Sequence, residues 1–296
     1  MAAAARSCLR TITITEMLEP LQEPFMQRAL AEVVLIGVAG GALGCWVVFY
    51  GLSYAAESLA HSLFPGLVLA AIAGVPLLLG ATPAVLVAAL AIALGARVAG
   101  MSREAAVAVV VTTMFGLGVL LALSPRSPPG VEALLFGDPF GVTDADLAAA
   151  AALAALVLLS LRLLHGRLLV AGFDRGAARA LGVSPALADA ALLVLLAAAT
   201  VVAVQGLGNL LVVAVFVGPA AAARRLADRM LPTMLIATAI AVLAAVGGLY
   251  LSYYAGTAGG ASVALTIVAV YLLSLPLGQW LAARRSAPPR AEATIA

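Results

Sequence analysis

The chain is 296 residues long, 64% hydrophobic and 10% charged, with a mean hydropathy of +1.15. Soluble domains are roughly half apolar, so this composition excludes one and indicates a polytopic membrane protein. Sixteen basic residues, every one an arginine, against fourteen acids leave a net charge of +2, too little for a nucleic-acid surface.

Residues 1–23 are expected to form a loosely ordered N-terminal segment. They carry Glu16, Glu19 and Glu23 and no continuous apolar run, unlike a cleavable signal peptide, and Met17 is a candidate natural start. Cys8 and Cys45 lie far apart, one of them inside an apolar run, and suggest neither a disulfide framework nor a thiolate metal site. Beyond this segment a single transmembrane domain is expected over 24–285, with a cytoplasmic tail over 286–296. A helix needs about 20 apolar residues to cross the hydrocarbon core, which gives about nine spans in an all-α bundle. They cover roughly 28–50, 58–80, 82–98, 104–123, 147–166, 186–205, 208–223, 231–253 and 262–282. The third and seventh are short, and Gly206, Gly208, Gly218 and Pro219 make the seventh the one expected to be broken.

The second span opens with AAESLAHSLFPG at 55–66, which sets a carboxylate and an imidazole in an otherwise apolar stretch. Glu57 and His61 are four apart, so on a helix they share one face and could grip one ion. Ionisable groups at membrane depth are costly and usually face a bundle interior or an aqueous path. The plainer reading puts Glu57 in water at the helix N-terminus, where the dipole favours a carboxylate. His61, a turn deeper, fits that reading less well. Imidazole with carboxylate suits zinc or manganese, whereas magnesium and calcium prefer oxygen alone. Pro65 and Gly66 are placed to bend the span and free a carbonyl.

Arginines cluster in alternate connections: Arg97 with Arg103, then Arg162 to Arg179, then Arg224, Arg225 and Arg229, and finally Arg284, Arg285 and Arg290. Those connections should be cytoplasmic, which puts the N-terminus outside; Arg6, Arg10 and Arg28 run against this. The external loop 124–146 contains SPRSPPG, which cannot be regular helix, then VEALLFG, a candidate short interfacial helix. The internal loop 167–185 has a helix start at Asp174 and stops at Gly182 and Pro185, so a short surface helix is expected there.

The remaining polar residues have ordinary explanations. His165 sits among arginines and reads as headgroup-level. Gln205 and Asn209, four apart, read as partners in helix–helix hydrogen bonds, with a pore lining as the alternative. Tyr250, Tyr253 and Tyr254 suit an aromatic belt. No phosphate-binding loop, HExxH or GxSxG elbow occurs, so no enzyme is indicated.

Several stretches resemble the permease subunits of zinc and manganese ABC importers, the ABC-3 family. PFMQRAL at 24–30 opens in their manner, and AAESLAHSLFPG is similar to their GDALSHAxLPG. LFGDPFGVTDADL at 135–147, FDRGAARALGVSPALAD at 173–189, QGLGNLLVVAVFVGPAAAARRLADR at 205–229 and GGLYLSYYAGTAGGAS at 247–262 resemble further family motifs, in family order. The resemblance implies a helical fold of the vitamin B12 importer type, the type II importers, working as a homodimer in the bacterial cell membrane. It implies a separate ATP-binding cassette subunit below and an extracytoplasmic metal-binding protein outside, which the FGDPF loop would face. Glu57 and His61 become the metal-facing residues. Segment 174–184 becomes the coupling helix, with Asp174, Arg175, Arg179, Leu181 and Gly182 toward the ATPase. No permanently bound cofactor is implied; zinc or manganese is cargo. Glu57 departs from the usual aspartate and Gly218 from the common threonine, while Gly176 and Ala178 are unusual in the coupling segment. The competing class is an ion-driven secondary transporter, which should carry several intramembrane acids and an inverted repeat.

Overall fold

The computed structural model describes residues 19–285 apart from 96, 97, 99, 101, 132 and 210. The expectations for residues 1–18 and for the tail 286–296 lie outside the described residues. Residues 19–23, expected to be loose, contain a 3-10 turn at Glu19–Gln22, held by the Gln27 Nε2 that donates to the Leu21 carbonyl at 2.7 Å.

The described chain is all helix and connection. The helices are α1 Pro24–Phe49, α2 Ser53–Ala73, α3 Leu77–Gly95, α4 Arg103–Ala122, α5 Ala133–Phe136 and α6 Asp144–Phe173. There follow α7 Arg175–Ala180, α8 Pro185–Leu207, α9 Val212–Ala223, α10 Met230–Ala255 and α11 Gly259–Arg285. Seven of them are long and apolar enough to cross a membrane, and two more apolar stretches, Leu79–Ile92 and Val212–Ala223, are shorter. At 1.5 Å per residue, α9 spans only about 18 Å. It follows a break at Gly208 (φ +80°), at the start of the span expected to be broken partway; beyond it the helix is continuous, with Gly218 and Pro219 inside it.

Start signals are local. Pro24 and Pro185 take the first turns of α1 and α8, where no amide partner is needed. Thr143 and Asp146 form a reciprocal capping box at α6. Two boundaries differ from expectation. α2 begins at Ser53 instead of 58, so Glu57 lies within its second turn. α6 continues to Phe173 and Pro185 opens a helix, which shortens the internal loop to the segment around α7.

α1 is the hub: 72% of its most apolar stretch is buried within the subunit, against 22% for α4. It packs on α6, α8, α9 and α10, while α2 packs on α3 and α4. Close approach is made by small residues. A Cβ at Gly41 would come 2.6 Å from Thr238 Cα of α10, and one at Gly44 would run into the Phe216 carbonyl of α9. The VAGGALG run of α1 thus serves two neighbours at once.

The helix ends gather into two groups. At one end Tyr50 Oη donates to the Leu168 carbonyl at 2.7 Å, and Phe49 meets Phe173 at 5.1 Å between ring centres. Arg162, Arg167, Arg175, Arg179, Arg224, Arg225 and Arg229 belong to helices and connections at this end. At the other end Phe25 packs on Phe140, the Asn209 amide donates to the Leu134 carbonyl at 2.8 Å, and Arg28 pairs with Asp144 at 2.9 Å. That pair accounts for the misplaced arginine: its charge is met by an acid of the next loop.

Candidate functional site

α2 brings the sequence-predicted pair together. His61 Nε2 lies 3.9 Å from Glu57 Oε1, with the two side chains 22% and 58% exposed. This is too long for a hydrogen bond. Two donors on one tetrahedral ion, each roughly 2.1 Å from it, stand about 3.4 Å apart, so closing the pair on a cation asks for a movement of about half an ångström. The imidazole is steered by the ring of Phe115 from α4, 4.9 Å away. Its Nδ1 is buried without a partner.

Other polar groups of α2 are already committed. Ser58 and Ser62 turn their hydroxyls back to the carbonyls of Tyr54 and Ser58 at 2.8 and 2.7 Å. Pro65 stays inside the helix; having no N–H, it cannot donate to the carbonyl four residues back, which is that of His61. Gly66 serves packing instead of a bend, its Cα facing the Gly80 carbonyl of α3 where a Cβ would collide. Among the described residues no group of three or more His, Cys, Asp or Glu is arranged to hold a metal ion. The pair therefore offers two candidate donors at the surface of the subunit, with no third grouped beside them among the described residues.

The segment 174–184, expected to couple to an ATPase, divides into a cap, a tie and an exposed edge. Asp174 Oδ1 accepts from the amides of Gly176 and Ala177 at 2.7 and 3.0 Å. Those two bonds favour the ionised form and hold this carboxyl below its usual range. Arg175 makes a two-pronged pair with Asp189 of α8, at 3.0 and 3.1 Å. Arg179 and Leu181 are exposed, Leu181 at 70%. Gly182 has φ +74°, a conformation that only glycine adopts without strain and that turns the chain into α8. A cavity of about 330 Å³ lies beneath this turn, lined by Leu164, Arg167, Leu168 and the residues 181–184.

Other expectations fare unevenly. His165 is half-buried, 5.4 Å from the Trp46 ring, and lines a cavity of about 610 Å³ with Arg224, Asp228 and Arg229. Neither described cavity is lined by Glu57 or His61. Tyr253 and Tyr254 are exposed beside one another at the far end of α10. Asn209, expected to bond a neighbouring helix, is fully buried in the α8–α9 break with neither side-chain atom partnered. The side chain of Gln205 lies outside the described residues.

Sequence reading missed two charged groups. Asp189 carries the tie to Arg175, and its only signal was its place at the end of the FDRGAARALGVSPALAD stretch. Glu32 sits eight residues into the first helix from its Pro24 end and is completely buried, with neither carboxyl oxygen partnered. An acid inside a span was itself the signal.

Seven full-length apolar helices in an all-helical bundle define a multi-pass protein of the bacterial plasma membrane. The chain belongs to the ABC 3 transport family, whose family model matches residues 22–278. It is 31% identical over 262 residues to the manganese import system permease protein ScaB of Streptococcus parasanguinis, covering 88% of this chain and 94% of that protein. It is 32% identical to the chelated iron transport system membrane protein YfeC of Yersinia pestis, covering 84% and 85% of the two chains. Among solved structures it resembles PsaBC from Streptococcus pneumoniae in complex with Fab, with a TM-score of 0.85 at 28% identity, covering 92% of this chain and all of that one.

Proposed function

We propose that this chain is the membrane-spanning subunit of an ATP-driven importer of a divalent transition metal, zinc or manganese, with ATP hydrolysed by a separate subunit. The observation that carries this is the Glu57–His61 pair: an imidazole and a carboxylate on one face of an apolar helix, 3.9 Å apart and open to the subunit surface. Their exposure, and their absence from the lining of both described cavities, supports a path formed between two copies, each offering its pair to the same gap. The names of ScaB and YfeC, manganese import and chelated iron transport, support a transition-metal cargo.

In this reading all nine apolar helices cross or enter the membrane, in a fold of the vitamin B12 importer type, with the arginine-rich end cytoplasmic. The ATPase docks on α7 through Arg179 and Leu181, and an external metal-binding protein docks over α5 and the Asp138–Gly141 turn. The test is uptake of labelled manganese and zinc into proteoliposomes holding this chain with its ATPase and binding protein. Uptake that needs ATP and is lost in His61→Ala supports the reading. Uptake without nucleotide, driven by a proton gradient, would show the secondary-transporter class instead.

A further inference from the structure

We propose a second cation-binding station in this chain, built from oxygen donors alone, at the α8–α9 break with Glu32 as its charged ligand. Four observations meet there. Glu32 is 0% exposed, and both of its carboxyl oxygens are buried without a hydrogen-bond partner. Gly206, in the last turn of α8, faces that carboxyl: a Cβ there would stand 2.5 Å from Glu32 Oε2, so the glycine keeps the space open. Asn209, three residues on, is also 0% exposed, with its amide oxygen and nitrogen both unpartnered. Finally, α8 ends here and the chain does not resume a helix until Val212, and the last carbonyls of a helix carry the negative end of its dipole.

A buried carboxylate with no counter-charge is strongly unfavourable, and the unpartnered Asn209 amide, three residues beyond the glycine that faces it, adds to the cost. A cation removes both costs at once. It would take one or two carboxylate oxygens, the Asn209 amide oxygen and carbonyls released at the helix break, the pattern by which broken membrane helices hold ions. No nitrogen or sulfur ligand is within this set, since the only histidine of α2 belongs to the opposite half. Such a donor set suits a hard divalent ion, manganese over zinc.

Position gives the station its role, and this part rests on the metal-import reading. Glu32 lies eight residues into α1 from the Pro24 end, and His61 eight residues into α2 from the Ser53 end, so each is about 12 Å in from opposite ends of the bundle. An ion leaving the external side would meet oxygen donors first and the carboxylate–imidazole pair roughly 15 Å further on.

The measurement is Mn2+ binding to the purified full-length chain in detergent, followed by electron paramagnetic resonance. The wild type is expected to bind more Mn2+ than the one equivalent per chain held at this station, the excess lying at the Glu57–His61 pair. The double variant Glu57→Gln, His61→Ala should keep one, and its spectrum should lack the nitrogen coupling of an imidazole. Glu32→Gln should remove that remaining equivalent, and Gly206→Ala should weaken it at least tenfold while leaving the charge in place. Unchanged stoichiometry and affinity in both Glu32→Gln and Gly206→Ala would overturn the proposal. So would an infrared band of a protonated carboxyl that vanishes in Glu32→Gln and does not move when Mn2+ saturates the wild type. If the wild type with its partner proteins takes up no metal while Glu32→Gln loses its equivalent, the transport reading fails and this station stands.

Discussion

Two carboxylates of similar chemistry are given opposite duties by their surroundings. Glu57 is more than half exposed beside His61, where the proposed function has it meet an ion. Asp174 spends its charge locally, on two amides of α7. His61→Ala should therefore abolish metal uptake with assembly unchanged, read as transport against gel-filtration profile; normal uptake would take the imidazole off the path. Asp174→Ala should weaken ATPase docking while leaving metal affinity as it was, read by pull-down and metal titration side by side. The pH dependence has a definite sign. Because folding lowers the Asp174 pKa, its contribution is complete above the unfolded carboxylate value, about 4, and is lost as pH falls through the lower folded value. Docking should survive mild acidification, and its loss near neutral pH would point to another group.

Among the elements, α7 and α8 behave as a joined pair, since Arg175 grips Asp189 with both prongs of its guanidinium. Exposed pairs of this sort add at most about 1 kcal/mol to stability, so Arg175→Ala should barely move the melting temperature. It should instead lower ATP-driven uptake at an unchanged basal ATPase rate. Packing of α1 is less forgiving. Gly44→Ala sets a methyl against the Phe216 carbonyl, an overpacking expected to cost roughly 1–3 kcal/mol and visible as a lower melting temperature in detergent. Legibility followed sequence distance. Glu57 and His61 are one turn apart, and Asp174 and Gly182 bracket six helical residues, so local periodicity exposes them. Arg28 and Asp144 are 116 residues apart, and Glu32 meets Gly206 across most of the chain, pairings that no local pattern encodes. The nine apolar helices were visible because length and hydropathy are properties of each run alone. Where each begins depended on caps such as Pro185, read from sequence as a stop.

For the molecule as a whole, the segregation of arginines to one group of helix ends predicts sidedness. A cysteine placed at Leu181 should react with a membrane-impermeant maleimide only when the cytoplasmic face is open to it, and one at Tyr254 only from the outside. Labelling of both from one face would refute the arrangement. The rigid α8 rod joins these two worlds. One of its tips is tied to α7 through Arg175 and Asp189; the other abuts the buried Glu32, about 34 Å away. In the import reading proposed above, a pull on the lower tip would lift the upper one off that acid or snap the clamp, so that a nudge delivered by nucleotide chemistry and the grip on a passing ion would be two readings of a single lever.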